Sequence, residues 1–127
     1  MRYMPRSRSR WSEMTGKRMT DNRIYTFLGL AAKAGRLISG DETCEGAVKK
    51  GKVRLVIVAE DASDNTRKKF EDICGYRDIA MRFFGKKEKL GRHIGKSMRS
   101  VVAVIDGNFA KRLQEMIDEH GKEYGGV

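Results

Sequence analysis

The feature that most limits what this chain can fold into is the run Val53-Arg54-Leu55-Val56-Ile57-Val58-Ala59, apolar at every position but one. Such a run cannot alternate between core and water, so it reads as a strand buried on both faces. A strand of that kind belongs in the middle of a sheet, between two layers of helices. The flanking sequence supplies them. Ile24, Phe27, Leu28 and Ala31 recur at helical spacing, after a cap at Thr20 or Asp21 and before Gly35. Leu37-Ile38 reads as a short strand. Glu60-Asp61-Ala62-Ser63-Asp64 opens a helix that runs to about Tyr76, with Phe70, Ile73 and Cys74 on one side. Ile79 to Phe84 reads as a third strand, Lys86 to Ile94 as a short basic helix, and Ser100 to Ile105 as a fourth strand. Asp106-Gly107 then turns the chain into a last helix with Phe109, Leu113, Met116 and Ile117 inward. The alternation predicts an α/β fold, a three-layer α/β/α sandwich with a central mixed four-stranded sheet and alternating helices.

One more helix is expected between the first two strands, and it carries the functional argument. In Arg36–Gly51, Ser39 or Asp41 can cap a helix start, acidic residues fill the first turn, Lys49 and Lys50 the last, and Gly51 suits the position past the end. Its start, Gly40-Asp41-Glu42-Thr43, follows directly on a very short strand. Such a terminus offers unpaired backbone N–H groups and a positive dipole end, a seat for phosphate or a base edge.

Charge says what kind of ligand to expect. The formal net charge is +10 over 127 residues, and half of it lies in residues 1–20. The rest of the chain is therefore basic in its own right, which favours a polyanionic partner. Residues 1–19, rich in Arg and Ser, are expected to be a disordered extension, 20–121 the domain and 122–127 a short tail. Met19-Thr20-Asp21 resembles a natural start, with residues 1–18 accessory to it. No apolar run approaches the roughly 20 residues that span a bilayer, and R-S-R-S-R stands where a signal peptide would be apolar. Cys44 and Cys74 are far apart and read as ordinary thiols of a reduced, cytoplasmic protein.

Catalytic patterns fail on inspection. Gly46-Ala47-Val48-Lys49-Lys50-Gly51-Lys52 matches G-x-x-x-x-G-K, but Val53 stands where a magnesium-binding hydroxyl belongs, and the context is helix-to-strand rather than strand-to-helix. Asp61 ends the central strand, where doubly wound folds place chemistry, yet Leu37-Ile38-Ser39 supplies no acidic partners, and capping by Asp61 or Ser63 accounts for the residues better. His93 and His120 lack Cys or His at ligand spacing, and nothing pairs a nucleophile with a base. No enzyme, cofactor, metal, membrane or small-molecule substrate is expected. By contrast, Lys86, Lys87, Lys89, Arg92, Lys96 and Arg99 cluster in one helix and the loop after it, Gly95-Lys96-Ser97-Met98-Arg99. Basic residues there suit phosphate contacts, and Met98 could lie against an unstacked base.

Three stretches in this order, L-G-L-A-A-K-A-G-R-L-I-S-G at 28–40, L-V-I-V-A-E-D-A-S-D-N-T at 55–66 and L-G-R-H-I-G-K at 90–96 before V-V-A-V at 101–104, resemble one family. It is the ribosomal-protein superfamily of kink-turn RNA binders, the L-seven-Ae and L-thirty-e proteins, and in particular its bacterial YlxQ-like branch. The resemblance implies a non-catalytic protein that docks the helix start after its first strand at the sheared G·A pairs of a kink-turn. A loop before the last strand would cup a flipped-out nucleotide. By position, Gly40 matches the glycine of close RNA approach, and Glu42 and Thr43 take the places of an Asn-Glu pair. Lys50 takes that of a phosphate contact, Lys87 that of the lysine in the L-G helix, and Ser63 that of an acidic residue at the extruded base. Gly95, Lys96, Ser97, Met98 and Arg99 form the cup. The chain departs from Asn-Glu-x-x-Lys, having Glu42-Thr43-Cys44-Glu45-Gly46. Guanine edges want a donor, which glutamate lacks, and one lost charge-assisted contact costs about 1–3 kcal/mol. The expected partner is structured RNA, ribosomal or regulatory, with the ribosome as a further candidate. The alternative is a protein-interaction adaptor on the same fold with weak, non-specific RNA affinity.

Overall fold

The computed structural model describes residues 9–121, with side chains described from residue 21 onward. Elements follow in the order α1 (Ser9–Lys33), β1 (Leu37–Ser39), α2 (Asp41–Lys49), β2 (Leu55–Val58), α3 (Asp64–Arg77), β3 (Ala80–Phe83), α4 (Lys87–His93), β4 (Val101–Val104) and α5 (Gly107–His120). The sheet order is β1-β4-β2-β3, which puts the apolar run in the interior. Every residue of β2 and of β4 is buried, whereas the edge strands β1 and β3 are half-buried. Each fully buried Val, Leu or Ile side chain in these two strands contributes roughly 1.5–3 kcal/mol of transfer free energy.

The sheet is mixed. β2 lies antiparallel to β4, with Leu55 opposite Val104 and Val58 opposite Val101. β3 lies parallel to β2, reached by the crossover helix α3, as a parallel pair requires. β1 adds to the far side of β4, antiparallel, with Ser39 opposite Val102. Helix α1 packs against α5 and α4, and α2 packs against α3, giving the two covering layers. The C-terminal ends of β1, β2 and β3 and the N-terminal end of β4 consequently share one edge of the molecule. The starts of α2, α3 and α4 emerge there.

Strand ends fall within one or two residues of the expected ones, but α1 does not. It begins at Ser9, well before the expected cap at Thr20 or Asp21, inside the segment expected to be an extension. No proline follows Pro5, and a helix once nucleated adds residues cheaply. Residues 1–8 of that extension and the tail 122–127 lie outside the described residues.

Candidate nucleic-acid interface

Helix α2 opens on Gly40, not on Ser39 or Asp41. Gly40 has φ 101° and ψ 144°, a conformation reserved in practice for glycine. A Cβ there would have room, its nearest neighbour being Thr43 Oγ1 at 3.9 Å, so the backbone rather than packing demands glycine. Its N–H donates to the Val101 carbonyl (3.0 Å), and its own carbonyl accepts the first helical bond from Cys44 N–H (2.9 Å). No side chain caps this terminus. The two expected caps are engaged elsewhere: Ser39 Oγ accepts from Arg99 Nε (3.1 Å), and the Asp41 carboxylate turns to α3. There it pairs with Lys69 Nζ and accepts from Thr66 Oγ1 (3.4 Å).

The starts of α3, α4 and α5 are closed. Ser63 Oγ accepts from Thr66 N–H at α3 (3.2 Å), and Asp106 Oδ2 accepts from Phe109 N–H at α5 (2.9 Å). Asp61 Oδ1 reaches across to accept from Lys87 N–H at α4 (2.9 Å). Among α2–α5, α2 alone presents a first turn without a side-chain cap, and Glu42 and Thr43 on it are exposed.

The loop 95–99 stands beside that turn. Gly91 makes this possible, because a Cβ on it would lie 1.8 Å from the Ser97 carbonyl oxygen and 3.1 Å from Met98 Cα. The loop thus folds back directly onto the α4 backbone. Arg99 fastens it: its N–H donates to the Lys87 carbonyl (3.0 Å), and its guanidinium donates to Ser39 Oγ, Ser97 Oγ (3.0 Å) and the Met98 carbonyl (3.0 Å). Arg99 is therefore a brace between loop and β1 rather than a free cation. Met98 remains 59% exposed, as an apolar contact for a base requires. A groove of about 450 Å³, lined by residues 39–43 and 98–100, joins the two parts.

Gly40 to Thr43, Met98 and Arg99 are thus brought together, with Lys87 half-buried just behind the loop and Gly95, Lys96 and Ser97 exposed along it. Ser63 sits close by, joined through Thr66 to Asp41, but its hydroxyl is committed to α3 as cap and as donor to Thr66 Oγ1 (3.1 Å). Lys50 is not brought in. It is the C-cap of α2, about 13 Å from the open turn at 1.5 Å rise per residue.

The acids of α2 are partly answered by α3. Lys69 bridges Asp41 and Glu45 (3.1 Å), and Glu45 also pairs with Lys49 (3.0 Å). Hydrogen bonds from Lys49 and then Lys69 hold the Glu45 carboxyl below its ordinary range, and Asp41 foremost raises the Lys69 ammonium. Glu42 makes no ion pair among the described residues. Beneath this surface Cys44 and Cys74 are free and buried, and burial pushes their thiols up to about 12 and about 11. Thiols so shifted are not nucleophiles. Among the described residues no cluster could hold a metal ion, and no helix is long and apolar enough to cross a membrane. Asp61 is used as the α4 cap, and the G-x-x-x-x-G-K match spans the end of α2 and the turn into β2.

Two residues that position the site escaped sequence reasoning. Gly91 was visible within L-G-R-H-I-G-K, but its clash partner is supplied by the fold. Asp61 was readable as a cap, yet the helix it caps is α4 rather than its neighbour.

A mixed four-stranded sheet between two helical layers, with an open helix start and a basic loop on one edge, defines a small α/β/α protein of ribosomal type. The chain belongs to the ribosomal protein L7Ae/L30e/S12e/Gadd45 family, whose pattern matches residues 22–114. Within it the chain falls in the YlxQ-like branch. It is 38% identical over 94 residues to the RNA-binding protein YlxQ of Bacillus subtilis, covering 74% of this chain and 94% of that protein. It is 36% identical over 96 residues to YlxQ of Enterococcus faecium (76% and 92% covered). The large ribosomal subunit protein eL8 of Cenarchaeum symbiosum is 25% identical over 97 residues, 76% of this chain and 77% of that one. Among solved structures, a Bacillus halodurans protein of unknown function superposes with TM-score 0.73 at 42% identity, covering 75% of this chain and 96% of that one. A Giardia lamblia 15.5 kD RNA-binding protein shares the fold, with TM-score 0.66 at 20% identity over 83% and 90% of the two chains.

Proposed function

We propose that this protein is a cytoplasmic, non-catalytic RNA-binding protein that recognises structured RNA, a kink-turn or related bulge in ribosomal or regulatory RNA, and stabilises its bent form. The observation that carries the reading is the open first turn of α2 beside the loop 95–99, the two sharing one groove. Backbone N–H groups at a helix start suit phosphate or a base edge, and Met98 offers an apolar surface to an unstacked base. The relatives named as RNA-binding proteins support the same partner. The protein would act by binding the bent conformer better than the extended one, which shifts the RNA population without any chemistry.

The test is a titration of a kink-turn RNA, a variant with its G·A pairs replaced, and a plain duplex of equal length, at several salt concentrations. Preference for the intact kink-turn is the expected result. Equal and steeply salt-dependent binding to all three would reduce the surface to a general polyanion patch.

A further inference from the structure

We propose that a second groove, between α1, β1 and the C-terminal end of α4, is an additional RNA subsite that grips the phosphate backbone of a strand leaving the α2 edge. It encloses about 500 Å³ and is lined by Lys33, His93 and Lys96, with Ala32, Leu37 and Ile94 among its apolar walls. That volume is ample for a nucleotide. The inference rests on the RNA-binding reading above and assigns to it residues on α1 that lie outside the α2 edge.

Charge is the first argument. The groove at the α2 start is lined by Asp41 and Glu42 against Arg99, whose guanidinium is already bonded within the protein. The second groove is lined by two lysines and, among the described residues, by no carboxylate. A polyanion is better matched to the second, since phosphate contacts supply most of the non-specific affinity of such interfaces. Contiguity is the next. Ser39 lines both grooves, so the two adjoin at the end of β1.

Preorganisation completes the case. The His93 ring stacks on Tyr25, with centroids 4.7 Å apart and planes at 20°, and its Nδ1 lies 2.9 Å from the Lys89 carbonyl. A carbonyl only accepts, so Nδ1 is the donor of this bond, and the bond and the stack together fix the ring at the groove's edge. Gly29 brings α1 against the end of α4, since a Cβ there would lie 2.7 Å from the His93 carbonyl oxygen. One wall of the groove is therefore set by the close packing of α1 on α4, and the loop residues Gly95 and Lys96 complete it.

The experiment uses the full chain and fluorescence anisotropy, with a kink-turn RNA bearing short single-stranded extensions and the same RNA without them. Lys33→Gln is compared with Lys68→Gln, an exposed lysine of α3 in the opposite layer. Lys33→Gln should weaken the extended RNA roughly five- to tenfold and flatten its log K against log salt slope by about one unit. It should leave the unextended RNA within about twofold. Ala32→Trp, which fills the groove at constant charge, should also weaken only the extended RNA, with a cooperative melt as the check on folding. Lys33→Gln behaving like Lys68→Gln would overturn the subsite. Loss of kink-turn preference with the Lys33 effect intact would sink the selectivity proposed above but not the groove; no binding of either RNA by the parent protein would sink both.

Discussion

Glu42→Gln is expected to improve RNA binding, and the size of the gain distinguishes recognition from charge. Glu42 is exposed on the first turn of α2, lines the groove and makes no ion pair among the described residues. Removing its charge therefore breaks no contact in the fold. The helix dipole loses a favourable anion, about 0.3–1 kcal/mol of stability. On the binding side two effects separate. A phosphate about 8 Å away, near one Debye length, repels a carboxylate by about 0.5 kcal/mol in water, so neutralisation alone helps any RNA by about twofold. The new amide also supplies the donor that a guanine edge requires, worth about 1–3 kcal/mol where that edge is presented. The kink-turn RNA should therefore bind about 10- to 400-fold more tightly to the variant, and the G·A-replaced RNA about twofold. Isothermal titration calorimetry at fixed salt reads both. Equal improvement for the two RNAs would mean that Glu42 acts only as a charge, and no improvement would mean that α2 does not face the RNA.

Gly91→Ala should lower Tm by about 5–15 °C, the consequence of roughly 1–3 kcal/mol of overpacking, because the new methyl would meet the Ser97 carbonyl at 1.8 Å. The displaced loop should reduce kink-turn binding at least tenfold (~1.4 kcal/mol), and an unchanged melt and affinity would refute the close contact. Cys44 and Cys74, buried with thiols near 12 and 11, should give no colour with a disulfide reagent at pH 8 until urea unfolds the chain; rapid native reaction of either would contradict the packing. Lys69→Met should lower Tm at pH 7 by roughly a few degrees. Glu45, held below its ordinary range, contributes above the unfolded carboxylate pKa and is lost as pH falls through its lower folded value. Lys69, raised by Asp41, contributes below the unfolded amine pKa and is lost as pH rises through its higher folded value. The difference between parent and variant should therefore shrink toward both acid and strong base, and a difference independent of pH would remove the network's role.

Much of the fold was legible because its signals are local. The apolar run at 53–59 could only be an interior strand, and the spacing of Phe109, Leu113, Met116 and Ile117 could only be a one-sided helix. The open turn and the basic loop were also readable, and they do share an edge. What was not legible depends on partners distant in sequence. That neither Ser39 nor Asp41 caps α2 follows from distant partners: Arg99 claims the Ser39 hydroxyl from 60 residues away, and Lys69 and Thr66 claim the Asp41 carboxylate. Arg99 looked like a phosphate ligand because nothing in its sequence neighbourhood shows that its guanidinium is bonded within the protein. Lys50 borders the same helix as the open turn, but the length of α2 puts it at the opposite end. The start of α1 was misplaced because an Asp or Thr can cap a helix or simply ride along one that began earlier.

The most direct test of a single RNA-facing edge is an amide NMR titration of the ¹⁵N-labelled chain with kink-turn RNA. The account predicts that Gly40 to Thr43 and Gly95 to Arg99 shift together, saturating at one RNA per chain, while the α5 face stays still. Shifts confined to α5, or spread evenly over every exposed lysine and arginine, would contradict it.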